Sequence, residues 1–414
     1  MATTRRTFLT NLGAAGIVSL GATPPWFLTR AALAAEKVEK PPAEKRILVL
    51  VQLAGGNDGL NTVIPYTDAE YQKARPGIGI GRDAVLKIGD DLGLHPQMTG
   101  FKEIFDEGRL AVIQGVGYPN PNRSHFRSTD IWHSARPDVE YTEDGWLGRS
   151  LDLHAKRHAG KTPALALGTN RLPLALVCSK LSVPTVQNVN EFQLQLGAGS
   201  AANKKLRRKL IGDLANRQSA TESDLDFLRK TTQTALSTAR KLEKVTATYK
   251  PAAEYPTNGL GGKLKTVAQL IAGDFGTNIF FVSLGGFDTH SQQAGAHQGL
   301  LSELSSAIRA FYLDLKEHKL QDQVLLATYS EFGRRVKENG SLGTDHGAAS
   351  QMFVVTPGDK GGLIGKHPSL TDLSQGDLKY HTDFRSVYAT ILDKWLDISS
   401  QSVLGHEFPG VDIV

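Results

Sequence analysis

Hydrophobic residues occur along this chain in short uninterrupted runs separated by longer amphipathic stretches. The runs have the length of β-strands and lack the polar alternation of half-exposed strands, which is typical of buried strands in a parallel sheet. They lie at 46–53, 110–116, 163–167, 174–177, 183–186, 278–284, 323–329 and 351–356. The chain is therefore predicted to contain a largely buried, mainly parallel sheet.

Two of the intervening stretches carry the 3.6-residue period of an amphipathic helix. In residues 300–315 the apolar positions fall on one helical face. Residues 383–396 form the second predicted helix, and Thr382 is its expected N-cap because a hydroxyl there can accept a hydrogen bond from the first turn. Strands that alternate with helices predict a three-layer α/β/α sandwich, doubly wound around the sheet.

One region departs from this alternation. Residues 201–249 are polar and rich in Lys, Arg, Thr, Gln and Ala, with only sparse leucines. We predict a helical insertion at about 201–250 that caps the α/β domain instead of entering its core. Its basic run at 204–209 is either a solvated face or an anion-attracting surface.

The first 34 residues are interpreted as a signal peptide. Arg5 and Arg6 precede an apolar stretch that glycines and prolines interrupt, which suits a removable signal better than a retained membrane anchor. Residues 32–34 fit a small-x-small cleavage site. The segment resembles a twin-arginine signal, which implies export through the twin-arginine translocase to a periplasmic or extracellular location, without a stable membrane span in the mature form. Residues 35–45 are then a flexible leader, and 46–414 form a single domain.

Composition excludes several classes of protein. The chain has 414 residues, 40% of them hydrophobic and 21% charged, as expected for a folded globular protein. The net charge of +5 suggests nucleic-acid binding, but three of the 47 basic residues and none of the 42 acidic ones lie in the predicted signal, which leaves +2. No nucleic-acid partner is predicted, since no binding motif accompanies the charge. The single cysteine, Cys178, excludes a disulfide framework and a cysteine-based zinc site.

Polar side chains collect where the apolar runs end. The five clusters are Asn57-Asp58, Ser124-His125, Asp288 with His290, Ser330-Glu331 and Asp345-His346. Because the carboxyl ends of parallel strands meet at one edge of a sheet, we expect these clusters to converge there. Carboxylates and imidazoles suit zinc, or a harder ion such as manganese, magnesium or calcium. The pattern predicts a divalent metal site at this edge.

Single clusters also have purely structural interpretations. Asn57-Asp58-Gly59 is a favourable turn sequence, and Ser124 can simply cap the helix that it precedes. His125 taken alone is interpreted as an ordinary packed or exposed imidazole. A serine at a helix N-terminus also lies near backbone N–H groups that favour an anion, where a nucleophile attacking a phosphate or sulfate ester would be placed.

Several longer motifs, in the same order, resemble the DUF1501 family of exported bacterial proteins. They are LAGGNDGLNT at 53–62, GFDTH at 286–290, SEFGR at 330–334, GTDHG at 343–347 and TDFRSVY at 382–388. The resemblance covers residues 45–398. The family is similar to the alkaline phosphatase and sulfatase superfamily, so the resemblance implies an alkaline-phosphatase-like fold with metal ions at the carboxyl edge of the sheet.

The resemblance also implies an activity, that of a metal-dependent hydrolase of phosphate or sulfate esters acting on a small-molecule or glycan ester. The metal ligands that it implies, for zinc as the first choice of ion, are Asp58, Asp288, His290, Glu331, Asp345 and His346. Ser124 is expected to be the nucleophile, with Ser128 and Thr129 as alternatives. Arg127 or Arg334 is expected to bind the ester oxygens.

The order of the later ligands stays open. Glu331 can fill the position of an aspartate, with His346 as the last histidine, or Asp345 and His346 can form the pair themselves. His297 is an alternative to His290. The Asp-to-His spacing is shorter than in phosphatases, which supports a second hypothesis, a non-catalytic binding or assembly protein on the same fold. Ligand atoms that converge within about 2 Å of one point favour the metal enzyme.

Overall fold

A mixed sheet with helices on both faces forms the framework of the protein. The computed structural model describes residues 41–158, 161–187, 249–257 and 259–414, and the single positions 209, 213 and 233. The predicted signal peptide and nearly all of the predicted insertion at 201–250 lie outside these residues. No helix in the described ranges is long and apolar enough to cross a membrane.

The elements below are numbered in chain order. The strands are β1 Ile47–Ala54, β2 Val63–Ile64, β3 Leu86–Lys87, β4 Gly93–Leu94, β5 Leu110–Gly117, β6 Ala164–Leu167, β7 Thr185–Val186, β8 Ile279–Gly285, β9 Val324–Tyr329, β10 Ser350–Val355, β11 Gly362–Ile364, β12 Leu373–Ser374, β13 Asp377–Leu378 and β14 Thr382–Asp383. The α-helices are α1 Ala69–Ala74, α2 Thr99–Asp106, α3 His125–Ser134, α4 Trp146–Leu153, α5 Gly259–Ala272, α6 Gln293–Glu317, α7 Phe384–Thr390 and α8 Ser400–Leu404. Short 3₁₀ helices occupy Ala43–Lys45, Gly59–Asn61, Ala155–His158, Leu174–Leu176 and Gln321–Gln323, and a π-helix follows α7 at Ile391–Leu396.

Within the described residues the central sheet has nine strands, in the order β11-β5-β10-β9-β1-β8-β6-β7, with β14 beside β5. Its strand pairs are parallel except those of β10, which is antiparallel to both β5 and β9. The sheet therefore confirms the predicted α/β class.

Successive residues of β1 point to opposite faces of this sheet. Val49 and Val51 pack into a core formed with α2, α5 and α6. Leu48 and Leu50 pack into a second core formed with α3, α4 and α7. All four side chains are fully buried, which is why the strand reads as an uninterrupted apolar run. These two cores form the outer interfaces of the three-layer sandwich.

Two element predictions are wrong in detail. The run at 174–177 is a 3₁₀ helix, Leu174–Leu176, that begins after Pro173. The helix predicted at 383–396 is capped by Asp383 instead of Thr382, because the Asp383 carboxylate accepts a hydrogen bond from the backbone N–H of Arg385. Thr382 lies in β14 and pairs with Val116 of β5.

The topology brings five loops to one edge of the sheet. Strands β1, β5, β8 and β9 run in the same direction, so the loops that follow them lie at the same edge of the sheet. Strand β10 runs in the opposite direction, so the segment that precedes it reaches the same edge. The predicted polar clusters come together for this reason.

Candidate metal centre

Three imidazoles surround one carboxylate at this edge. His125 is the first residue of α3, Asp288 and His290 lie in the loop after β8, and His346 lies in the segment before β10. Three of their atoms, His290 Nε2, His346 Nε2 and Asp288 Oδ1, form a triangle with sides of 2.9, 3.0 and 3.1 Å. Ligand atoms around a tetrahedral zinc ion are about 3.3 Å apart, so this triangle has nearly the size of one face of such a site.

Hydrogen bonds at the far side of two rings determine where their protons are. His346 Nδ1 lies 2.8 Å from the backbone carbonyl oxygen of Arg123, which can only accept, so this nitrogen carries the proton. His290 Nδ1 faces the Asp345 carboxylate, with Oδ1 3.5 Å away, and this acceptor favours the same tautomer. In this tautomer each ring directs the lone pair of its Nε2 atom toward Asp288.

His125 has the same arrangement. Its Nδ1 atom lies 3.0 Å from Glu331 Oε1 and donates to it. Its Nε2 atom is buried and makes no hydrogen bond, although Asp288 Oδ2 is only 3.4 Å away. One ligand atom each from His125, Asp288 and His346 lie within 4.8 Å of one another.

Lone pairs of imidazoles and a carboxylate that converge in this way repel one another unless a cation lies between them. The donor set of imidazole nitrogens and one carboxylate is suited to zinc and other divalent transition metals. Each ring is also fixed from behind by a carboxylate or carbonyl, as metal-binding histidines commonly are. The residues present therefore fit a divalent metal ion.

Glu331 lies behind this centre, although it is a predicted ligand. Its side chain is 3% exposed, and Oε1 accepts hydrogen bonds from His125 Nδ1 and from the backbone N–H of Gly55 at 2.8 Å. Glu331 thus orients His125 and joins it to the loop after β1. Asp345, another predicted ligand, similarly faces His290 and accepts a hydrogen bond from Asn339 Nδ2.

Arg334 is part of the framework of the site, in contrast to its predicted contact with substrate. It is 1% exposed. Its guanidinium donates to the Asp288 carboxylate and to the carbonyls of Gly55, Gly56, Phe287 and Thr344. Burial raises the pKa of Asp288, but the hydrogen bond and the charge of Arg334 oppose burial, and the pKa falls to about 2. The carboxylate is therefore held ionised and aimed at the imidazoles.

Asp58, predicted as a ligand, is engaged elsewhere. It is fully buried, Arg75 Nη1 lies 2.5 Å from its Oδ2 atom, and Gln293 donates to the same oxygen. Burial raises the pKa of Asp58, but the charge of Arg75 and its hydrogen bond lower it overall. His297, the suggested alternative to His290, is also buried, bonded to Asn57, and its pKa falls to about 4 through burial. The fully buried cation of Arg75 thus compensates the negative charge of Asp58.

The structure separates the predicted nucleophiles. Ser124 is exposed at the N-terminus of α3, directly before His125, and its side chain makes no capping hydrogen bond. Ser128 is fully buried and donates to the backbone carbonyl of Glu331, so its hydroxyl is committed. Arg127, predicted to bind ester oxygens, donates instead to the carbonyls of residues 137, 139 and 140.

Gly55 allows the loop after β1 to approach Asp288. Its φ of +120° is in the region that favours glycine, and a Cβ atom there would lie 2.4 Å from the backbone nitrogen of Asp288. The glycine-rich sequence after β1 therefore serves close packing of two loops behind the centre.

A family model described as "Protein of unknown function (DUF1501)" matches residues 44–405. The chain belongs to the DUF1501 family. This confirms the resemblance carried by the five motifs. No curated protein matches this DUF1501 chain.

Solved structures of other proteins are similar to this DUF1501 protein at low identity. The sulfatase PsFucS1 from Pseudoalteromonas sp. is 12% identical, with 94% of this chain and 75% of that chain covered and a TM-score of 0.37. The C-terminal periplasmic domain of EcEptC from Escherichia coli, in complex with Zn, is 11% identical over 77% and 73%, with a TM-score of 0.36. The alkaline phosphatase of the Antarctic bacterium TAB5 is 13% identical over 77% and 94%, with a TM-score of 0.29.

His125 of this DUF1501 chain was not among the predicted metal ligands. The dipeptide Ser124-His125 is one of the strand-end clusters, but only its serine entered the predicted site. The available signal was the position: a histidine that starts a helix after a β-strand lies at the same edge as Asp288 and His346. The contact of His346 with the backbone carbonyl of Arg123 was missed too, because the type of a side chain does not show which group its backbone carbonyl contacts.

Proposed function

We propose that this DUF1501 protein is an exported metal-dependent hydrolase of phosphate or sulfate esters that uses one divalent ion, with zinc as the first choice. One observation carries the proposal: the Nε2 atoms of His125, His290 and His346 converge on the carboxylate of Asp288, at 3.4, 3.0 and 3.1 Å from its oxygens. A buried imidazole nitrogen without a partner is costly in a folded protein, so His125 Nε2 in particular calls for a ligand.

The chain's own residues have distinct tasks in this proposal. His125, Asp288, His290 and His346 hold the ion. When bound, the ion supplies a Lewis acid that polarises an ester oxygen and favours ionisation of a nearby hydroxyl. Behind these ligands, Glu331 keeps His125 in the required tautomer, and Asp345 and the Arg123 carbonyl do the same for the other two rings.

Ser124 is the proposed nucleophile. It is exposed, its hydroxyl makes no capping hydrogen bond, and it directly precedes a proposed ligand. The N-terminus of the ten-residue helix α3 adds free backbone N–H groups and a partial positive charge that suit an ester anion. The Ser124 oxygen would bond to phosphorus or sulfur while the bond to the ester alcohol breaks, and water would later release the acid.

Export is the second part of the proposal. It is supported by Arg5-Arg6, the interrupted apolar stretch and the small residues at 32–34, and it places the enzyme in the periplasm or outside the cell. A small-molecule or glycan ester is the proposed substrate, and the twin-arginine translocase is the proposed partner during export.

A second candidate function is a non-catalytic binding or assembly protein. The pairing of Asp58 with Arg75 favours it, because this pair removes one carboxylate from the predicted ligand set and leaves a smaller centre. Such a protein would retain the ion without turning over an ester.

Metal analysis together with ester assays separates the two candidates. The purified protein should contain about one divalent ion per chain and should hydrolyse p-nitrophenyl phosphate or p-nitrophenyl sulfate. Ser124→Ala should keep the ion and lose most of the turnover, whereas His346→Ala should lose both. An ion without turnover of any ester tested would favour the binding protein, and a chain that takes up no ion would overturn the proposal.

A further inference from the structure

One buried glutamine connects three of the segments that meet at this edge of the sheet. Gln293 is the first residue of α6 and is fully buried. Its Nε2 atom donates to Asp58 Oδ2, in the loop after β1. Its Oε1 atom accepts from Thr289 Oγ1 at 3.1 Å, in the loop after β8, and from Thr344 Oγ1 at 2.6 Å, in the segment before β10. A single carboxamide therefore joins all three segments.

The two threonines are neighbours of proposed metal ligands. Thr289 is buried between Asp288 and His290 in the sequence, and Thr344 is fully buried two positions before His346. The backbone N–H of Thr344 also donates to the carbonyl of Thr289 at 3.3 Å, so the two segments bond to each other directly. A change in the spacing of the threonines therefore changes the spacing of the ligands beside them.

The carboxylate of Asp58 determines which way the amide group of Gln293 points. The buried ion pair with Arg75 keeps Asp58 ionised. An ionised carboxylate only accepts hydrogen bonds, so the NH₂ group of Gln293 has to face it. The amide oxygen is then left for the two threonine hydroxyls, which donate to it. The ion pair thus acts on both ligand segments through one side chain.

Backbone contacts fix the start of α6 against the segment before β10. The N–H of Gln293 donates to the carbonyl of Leu342 at 2.8 Å, and the N–H of Gln292 donates to that of Ser341 at 2.9 Å. Gln292 has a φ of +44°, which is uncommon for a residue other than glycine. Such a conformation persists only where the surrounding contacts hold it. The position of the Gln293 side chain is therefore set by the backbone as well.

We propose that Gln293 is a positioning residue of the metal centre, through which the buried pair of Asp58 and Arg75 fixes the two segments that carry most of the ligands. The inference rests on the proposed function for the identity of the ligands, whereas the contacts between the segments exist without an ion. It gives Asp58 a role in the centre that needs no contact with the metal.

The same substitution at two glutamines of α6 tests the proposal. Gln293→Met keeps the length of the side chain and removes its three hydrogen bonds, whereas Gln298→Met changes an exposed residue of the same helix. Loss of an outer partner typically lowers metal affinity 10–100-fold, so we expect a loss of about tenfold in Co²⁺ affinity for Gln293→Met and a change within about twofold for Gln298→Met. The visible spectrum of the Co²⁺-loaded protein, which reports the arrangement of the ligands, should shift only for Gln293→Met. Wild-type affinity and spectrum in Gln293→Met would overturn the proposal.

Exchange of the two hydrogen-bonding groups provides a rescue. Gln293→Glu alone places a second carboxylate against Asp58 and should weaken Co²⁺ binding more than Gln293→Met does. Addition of Asp58→Asn supplies an NH₂ group that donates to the new carboxylate, whose other oxygen still accepts from both threonines. The double variant should regain about tenfold in affinity over Gln293→Glu. A double variant that binds Co²⁺ no better than Gln293→Glu would reject the positioning role.

Hydrogen exchange separates this proposal from the proposed function. The backbone N–H groups of Thr289 and Thr344 are hydrogen-bonded, and in the metal-free full chain both should exchange faster in Gln293→Met than in the wild type or Gln298→Met. A wild-type chain that takes up no ion would reject the hydrolase, yet faster exchange at both positions would still support the link through Gln293. Unchanged exchange at either position would overturn it. Thr344→Val, which removes one hydroxyl donor, takes the place of Gln293→Met in these measurements if that variant does not fold.

Discussion

His290 and His346 bring their Nε2 atoms to within 2.9 Å of each other, although each ring already directs Nδ1 at an oxygen acceptor. Only a cation or a shared proton makes this approach favourable. A divalent ion and a proton therefore compete for the same position, and metal affinity should fall in acid. The contact is a direct reason to look for a metal.

Removal of one imidazole should remove the ion. His346→Ala leaves at most three ligands and opens the Arg123 carbonyl to water, so we expect a loss of metal affinity of at least 100-fold. Measurement by competition with a chelator of known affinity gives the value. His406→Ala is the matched control, since His406 is exposed near the C-terminus. The metal affinity of this variant should equal that of the wild type. Equal retention of metal by both variants would contradict the ligand assignment.

The acceptor behind His125 should matter almost as much as a ligand. Glu331→Ala removes the acceptor for His125 Nδ1, and loss of such a partner typically costs 10–100-fold in metal affinity. Glu331→Gln keeps an oxygen that accepts hydrogen bonds from His125 and from Gly55. The metal affinity of this variant should therefore lie between those of Glu331→Ala and the wild type. If Ala and Gln behave alike, the orienting role of Glu331 is wrong.

Gly55 should tolerate no side chain. Gly55→Ala places a methyl group against the backbone of Asp288 at positive φ, so we expect a clear fall in the denaturation midpoint and in metal affinity. Gly262→Ala is the opposite case. That glycine is exposed within α5, a Cβ atom meets nothing within 4 Å, and alanine should raise stability by up to about 1 kcal/mol. A tolerated Gly55→Ala would show that the two loops can separate at no cost.

The buried pair of Asp58 and Arg75 gives a pH-dependent prediction. Arg75→Met leaves a buried carboxylate unpaired and should cost about 3–5 kcal/mol of unfolding free energy at neutral pH. In the wild type the lowered pKa of Asp58 contributes stability above its ordinary value of 3.8, which is lost as the pH falls through the lowered pKa. In the variant, burial raises this pKa without the opposing charge and hydrogen bond of Arg75, so protonation in acid relieves the penalty. The difference in unfolding free energy between the wild type and Arg75→Met should therefore become smaller as the pH falls.

Urea unfolding at several pH values measures this difference. The double variant Asp58→Asn with Arg75→Met removes the charge and should recover part of the stability at neutral pH. A gap between wild type and Arg75→Met that is constant with pH would mean that Asp58 is not the group responsible.

The N-terminal prediction is tested in cells. Replacement of Arg5 and Arg6 by lysines should leave the uncleaved chain in the cytoplasm, because the resemblance to a twin-arginine signal depends on both arginines. Cell fractionation and the mass of the exported wild-type chain, expected to start near Ala35, provide the measurement. Unchanged export of the lysine variant would exclude this route.

The sequence predicted the edge of the sheet better than the direction of each side chain. Asp288, His290 and His346 were predicted to meet because a strand boundary and a suitable side chain coincide there, and the structure brings them into contact. Asp58 lies at an equivalent boundary, but its role depends on Arg75, a partner seventeen positions along the chain that no local pattern connects to it.

Burial separates the remaining residues. Glu331 and Arg334 have the chemistry of ligand and substrate clamp, yet both are almost fully buried and support the residues in front of them. The sequence pattern shows which residues lie at the edge of the sheet. How deeply each side chain is buried depends on the loops that approach it from other strands. Gly55 and Gly56 allow the loop after β1 to pack closely against Asp288 and Phe332, which contributes to this burial.

The proposed ligands come from three distant parts of the chain, and the last of them precedes β10. A fragment that ends before β10 lacks part of the sheet that positions these ligands, and one that ends before residue 346 lacks the last ligand itself, so the proposed centre is completed late in synthesis. A translocase that carries finished folds would then transport a chain that has already acquired its ion. The choice of metal would be made by the supply in the cytosol during biogenesis, and the surroundings in which the protein later works would have no part in it.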